Sequence, residues 1–268
     1  MAYSAHDTVR QDVLKIKVLG ASGSEVGGHL CPAFAVDGKL LLDAGTVGVS
    51  LNINEEKEIR YILLTHAHFD HIKGIPFLLD NLVSRGTHCS VTVMGAREVI
   101  EDLRAYILND RIWPDFSRIP TPDAPVVRYA ILRPDVTVTV DGYRITAEKV
   151  SHTVCAFGYI LEDATGSVLA YTGDTGPTDL FWKKSNHFRV DCLIVETSFP
   201  NRMEDEALRS GHLTPSLLRR EIGKMNRPPP KILLIHAKPQ YHPEIEKEIR
   251  ELGRDDIRFL KAGEVLEI

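Results

Sequence analysis

Short apolar runs alternate with amphipathic ones along this chain, and the alternation predicts its elements. VLKIKVL (13–19) is strand-like, and AFAV and KLLLD flank Asp37-Gly38, a dipeptide suited to a tight hairpin. YILLT (61–65) is an apolar, β-branched run that ends at histidines. The stretch after them, IKGIPFLLDNLVSRG (72–86), predicts a helix with Pro76 in its first turns and Gly86 as its stop. VTVMG (91–95) predicts a strand and AREVIEDLRAYILND (96–110) an amphipathic helix. RIWPDFSRIPTPDAPVV is proline-rich and irregular, which predicts a covering insert or lid around 105–128.

The second half repeats the style. VTVTVDGYRITAEKV carries another Asp-Gly hairpin, and FGYILED and SVLAYTGD form a third around residues 164–167. DCLIVETS and KILLIHA read as buried strands with a helix between them, followed by a helix at 243–253 and a short strand, IRFL. Hairpins come first in each half, with helices between and after. That order predicts two facing β-sheets with helices outside, one layered α/β domain over residues 1–268.

Composition narrows the class. The chain has 268 residues, 43% of them hydrophobic, enough for a large core. Its net charge of -5 offers no basic face for nucleic acid and would be nearly cancelled by two divalent cations. Cys31, Cys89, Cys155 and Cys192 form no C-x-x-C pair and sit among apolar neighbours, so buried reduced thiols are expected. No apolar run reaches the ~18 residues of a membrane span, and the N-terminal stretch lacks the apolar core of a signal peptide. A soluble cytoplasmic protein is the expectation.

The chemistry sits where strands end. YILLT runs into THAHFDH (65–71), AEKVS into His152, VLAYTGD ends on Asp174, DCLIVE on Glu196, and KILLI runs into His236. Loops at strand ends, held by a rigid scaffold, are the usual place for a site. His66, His68, Asp70 and His71 are too closely spaced for one helix face and suit a loop turning over a pair of metal ions. His66 and His68 would serve one ion, Asp70 and His71 the other. Asp174, in a glycine-flanked turn, would bridge, and His152 and His236 would complete the two sets. Imidazole and carboxylate donors without thiolate suit zinc, manganese or iron in a catalytic site.

The order H-x-H-x-D-H, His, Asp, His resembles the metallo-β-lactamase superfamily, over most of the chain. The resemblance implies a four-layer αββα sandwich with a two-metal site at one edge. It assigns His66, His68 and His152 to one ion, Asp70, His71 and His236 to the other, with Asp174 between. NDRIWPDF (109–116), ETSFPNR with SGHLTP (196–215) and IHAKPQ (235–240) are similar to the class II 3′,5′-cyclic-nucleotide phosphodiesterases. That likeness implies hydrolysis of cyclic AMP or cyclic GMP to the 5′-nucleotide by a homodimer. In it Asp70, His212 and Glu196 are the candidate catalytic residues, His212 protonating the leaving oxygen and Glu196 orienting that imidazole. Asn109, Trp113 and Phe116 are candidates for the base pocket, and Thr214 for the phosphate, although Thr214-Pro215 also reads as a helix N-cap.

The nearest rival is a tRNA 3′-processing endonuclease of the tRNase Z type, against which stand the missing basic, glycine-rich arm and the negative charge. A metal- or nucleotide-binding sensor without turnover is a rival of another class. His29, in the loop after the first strand, is expected nearest the site among the remaining histidines.

Overall fold

The computed structural model describes residues 13–84 and 89–268. Three antiparallel strands come first, β1 (Lys15–Gly20), β2 (Ala33–Val36) and β3 (Leu40–Leu42). Asp37 and Gly38 join β2 to β3 with φ of 47° and 70°, the left-handed pair that a primed hairpin turn requires. Helix α1 (Ile53–Glu58) starts at a reciprocal cap between Asn52 and Glu55. Strand β4 (Tyr61–Leu63) then lies parallel to β3.

The helix expected over 72–86 is two helices, α2 (Phe69–Ile72) and α3 (Ile75–Ser84), parted at Lys73-Gly74. Gly74 has no room for a side chain, since a Cβ there would meet the Ala44 carbonyl at 2.6 Å. Gly86 lies outside the described residues. Strand β5 (Val91–Gly95) pairs parallel with β4, and α4 (Arg97–Asp102) runs on into a π-helical turn, Leu103–Ile107.

Much of the expected lid is structured. It holds a two-stranded ribbon, β6 (Pro120–Thr121) with β7 (Ala124–Pro125), and its end enters β8 (Val127–Ile131), parallel to β5. The first two residues of β8, Val127 and Arg128, fall within the irregular insert expected to run to about 128, a correction that follows from their pairing with Val91 and Thr92.

The second sheet begins with β9 (Thr137–Val140), β10 (Tyr143–Lys149), β11 (Phe157–Glu162) and β12 (Val168–Tyr171), all antiparallel. Helix α5 (Leu180–Ser185) leads to β13 (Cys192–Glu196), then α6 (Glu204–Ser210) and α7 (Pro215–Ile222) to β14 (Lys231–Ile235). Helix α8 (His242–Glu251), β15 (Ile257–Phe259) and β16 (Val265–Glu267) finish the chain. The sheets have the orders β16-β1-β2-β3-β4-β5-β8 and β15-β14-β13-β12-β11-β10-β9. β16 was not anticipated; it crosses back to cover the outer edge of β1.

The period of two along the strands splits the second sheet between two cores. Leu169, Tyr171, Cys192, Ile194, Leu233 and Ile235 pack with the first sheet, while Val168, Ala170, Leu193, Val195, Ile232 and Leu234 pack under α5, α7 and α8. The fold is the αββα sandwich that the sequence implies. Cys31 and Cys192 are buried free thiols, but Cys89 and Cys155 are partly exposed, against expectation. No helix among the described residues is long and apolar enough to cross a membrane.

Candidate metal centre

Strands β3, β4, β12, β13 and β14 point their C-terminal ends to one edge of the sandwich, and β10 points the same way as β12. The loops after them bring together the titratable residues that the sequence places far apart. His66, His68, His152 and Asp174 offer ligand atoms all within 4.8 Å of one another, and Asp70, His71 and His236 do likewise. Asp174 lies between the groups. Its Oδ2 is 3.1 Å from His236 Nε2, 3.3 Å from His71 Nε2 and 3.7 Å from His66 Nε2.

The outer ring of hydrogen bonds decides which imidazole nitrogens face inward. His152 Nδ1 sits 2.8 Å from the Gly211 carbonyl, which only accepts, so Nδ1 carries the proton. His71 Nδ1 is 2.8 Å from Asp43 Oδ2. His66 Nδ1 lies 3.0 Å from the Thr65 hydroxyl, which donates to Asp43 and so accepts from His66. His236 Nδ1 is 2.9 Å from Ser198 Oγ, which donates to Glu196. Each ring therefore turns its Nε2 inward, and His68 adds its Nδ1, 3.1 Å from His152 Nε2.

Such a set of converging lone pairs fits cations. Three of the seven buried side-chain polar atoms without a hydrogen-bond partner, among the described residues, are His66 Nε2, His71 Nε2 and Asp174 Oδ1. Unpaired buried polar atoms are rare, and here they cluster on the ligand candidates. Protonation agrees. Burial holds His66 well below its ordinary range and lowers His68 and His152, leaving neutral rings. Burial opposes ionisation of Asp174, but the charges of His236 and His71 hold it well below the carboxylate range. Asp70 falls to about 2 for the same reason, its burial outweighed by His236 and His71. His71 is the exception: against burial, Asp174 and Asp43 raise it well above 6.5, and a cation on Nε2 would replace that proton.

His212 stands just outside the two groups. Its Nδ1 is 2.7 Å from Glu196 Oε1, and its ring stacks on His236 with centroids 5.1 Å apart. Burial lowers its affinity for a proton, but Glu196 more than compensates, so its pKa is raised. Glu196 is fully buried and accepts from Thr175 N, Leu213 N and Ser198 Oγ as well.

The four candidates for substrate contact fare differently. Thr214 is buried, and its hydroxyl caps α7 by accepting from Leu217 N. Asn109 spends its side chain on its own turn, accepting from the Arg111 and Ile112 amides and donating to the Ala105 carbonyl. Phe116 is 2% exposed within the core and presents no open face for a base, which corrects its expected place in a pocket. Trp113 packs on the same core and on the Phe77 ring, centroids 5.4 Å apart. His29 is exposed on its loop and is not among the converging groups.

Asp43 and Ser198 escaped the sequence reading. Asp43 ends the all-apolar β3 with φ of 52°, and it accepts from Thr65 N, Thr65 Oγ1, Tyr171 Oη and His71 Nδ1. Its position at a strand end was the available signal. Asp43→Asn, which converts half of this acceptor to a donor, should weaken metal retention about 10- to 100-fold in competition with a chromophoric chelator. Gly211 is equally constrained. Its φ is 69°, and a Cβ there would stand 2.9 Å from His152 Nδ1. Gly211→Ala should lower unfolding free energy by ~1–2 kcal/mol or more, read as a shift in the denaturant midpoint.

Comparison with known proteins agrees with this geometry. A Yersinia pestis protein described as a probable 3′,5′-cyclic-nucleotide phosphodiesterase is 27% identical over 191 residues, 64% of this chain and 52% of that one. A 3′,5′-cyclic-nucleotide phosphodiesterase of Aliivibrio fischeri is 27% identical over 255 residues, 76% of this chain and 73% of that one. The chain thus spans about half the length of the first relative and about three quarters of the second. A ribonuclease Z of Kineococcus radiotolerans is 32% identical over 126 residues, 44% of this chain and 37% of that one. The crystal structure of unliganded yeast PDE1 superposes with a TM-score of 0.81 over 96% of this chain and 99% of that one; at 19% identity the likeness is one of fold. The family model for the beta-lactamase superfamily domain matches residues 40–237. That span runs from β3 to the residue after His236 and takes in every ligand candidate above, so the chain belongs to the beta-lactamase superfamily.

Proposed function

We propose that this chain is a metal-dependent phosphodiesterase that hydrolyses 3′,5′-cyclic nucleotides to 5′-nucleotides. The observation that carries the reading is the buried Glu196–His212 pair beside two groups of ligand candidates. A hydrolase that needs only a polarised carbonyl has little use for a second, carboxylate-held imidazole. A phosphodiester does, because an alkoxide must leave. The names of the two phosphodiesterase relatives support the cyclic-nucleotide substrate.

Two divalent ions, zinc, manganese or iron, would be held by His66, His68 and His152 on one side and Asp70, His71 and His236 on the other, with Asp174 shared. Bound there, they supply a nucleophile at neutral pH and neutralise charge on the phosphoryl oxygens. The chain's own residues do the rest. Asp43, Thr65, Gly211 and Ser198 fix the ligand rings by holding their outer nitrogens. His212 delivers a proton to the departing 3′-oxygen as the P–O3′ bond breaks and water oxygen bonds to phosphorus. Glu196, on Nδ1, keeps the ring oriented and offsets its positive charge. In the same reading the enzyme works as a cytoplasmic homodimer.

Processing of tRNA ends is the second reading, favoured by the ribonuclease Z relatives. A net charge of -5 disfavours gripping a polyanion. The test is reconstitution. Strip the protein with chelator, return metal stepwise, and follow 5′-nucleotide formation from 3′,5′-cyclic nucleotides. Activity that rises to a plateau at two ions per chain supports the reading. No turnover with zinc, manganese or iron overturns it.

A further inference from the structure

Beside the metal centre lies a cavity of about 220 Å³ that the sequence reading did not anticipate. It is smaller than the ~300–1,000 Å³ pockets that take drug-sized ligands, and suits a single heterocycle. Its wall includes His68, Phe69, Ile107 and Val154, so it opens directly off the H-x-H-x-D-H loop. Phe69 and Tyr106 also line it and are 63% and 67% exposed, unusual for large aromatic side chains, and neither stacks on a ring among the described residues. The π-helical turn at Leu103–Ile107 builds one side. Its extra residue rotates the side chains that follow by roughly 100° about the axis, re-aiming this stretch of wall.

The one charged carboxyl on the wall is Asp102, at the start of that turn. It is exposed and makes no hydrogen bond or ion pair with any described residue. An ionised carboxylate only accepts. Guanine offers two adjacent donors on its Watson–Crick edge, N1–H and the 2-amino group. Adenine offers a donor beside an acceptor, and its N1 lone pair would face the carboxylate oxygen.

We infer that this cavity is the base subsite, that Phe69 and Tyr106 supply its stacking surfaces, and that Asp102 selects guanine over adenine. The inference rests on the cyclic-nucleotide reading and makes cyclic GMP the preferred substrate. An asparagine at 102 removes the preference, because its amide pairs with adenine N1 and the 6-amino group as well as with guanine O6 and N1–H.

The experiment compares wild type with Asp102→Asn, both metal-loaded, in two readouts: equilibrium binding of 5′-GMP and 5′-AMP, and kcat/KM for the two 3′,5′-cyclic nucleotides. Wild type should favour the guanine compounds about 10- to 100-fold, and Asp102→Asn should bring the ratio close to one. Tyr106→Ala should raise KM for both nucleotides. Equal binding of 5′-GMP and 5′-AMP, or a ratio that Asp102→Asn leaves in place, overturns the inference. If both cyclic nucleotides stay intact, the phosphodiesterase reading falls, while guanine-selective binding lost in Asp102→Asn still upholds the subsite.

Discussion

Asp174→Ala should abolish turnover and metal retention together, with a loss of about 10³-fold or more in kcat/KM. Asp174 is 2% exposed and its Oδ2 is within 3.7 Å of three imidazole Nε2 atoms, two from the segment after β4 and one from the end of β14. It lies against imidazoles of both ligand groups, so its loss would remove a carboxylate that both sets could share. Loss of charge stabilisation worth several kcal/mol converts to that factor in rate. Metal analysis of the gel-filtered variant checks the first half. Retention of a full complement of metal would show that Asp174 does not bridge.

His212→Asn should behave differently. It should keep its metal and lose about 10²- to 10⁴-fold in kcat, with KM little changed, as removal of a proton donor does. Loss of one equivalent of metal would instead seat His212 among the ligands, a geometry that its proximity to Asp174 and His236 allows. Glu196→Ala should be worse than His212→Asn. Four donors converge on that buried carboxylate, from Thr175, Leu213, Ser198 and His212. Leaving them unpaired should reduce folding stability by ~3–5 kcal/mol as well as slowing the reaction. Denaturant melts beside kinetics separate the two effects.

The ligand candidates were legible because each is a polar residue placed at the end of an apolar strand, and parallel strands bring their ends to one edge. Their partners were less so. Asp43 obeys the same rule, but Leu40–Leu42 followed by Asp-Ala-Gly also reads as a plain turn. Ser198 lies two residues beyond β13, and nothing local marks it as the link between Glu196 and His236. The aromatic residues show the limit of local reading. Phe116 sits in an irregular, proline-rich stretch that suggests exposure, yet long-range packing buries it. Phe69 and Tyr106 are unremarkable in sequence and meet at one cavity because α2 and the π-helical turn lie side by side. β16 was missed for a similar reason. Three residues suffice for a strand when an edge of β1 is there to pair with.

The most direct test is a competition between substrates. Metal-loaded protein is incubated with 3′,5′-cyclic GMP, 3′,5′-cyclic AMP, 2′,3′-cyclic AMP and a 3′-extended tRNA precursor, with Asp174→Ala in parallel, and the products are identified. Formation of 5′-nucleotides that depends on Asp174, with the tRNA intact, is the result expected here. Trimming of the tRNA precursor with every cyclic nucleotide untouched would contradict it.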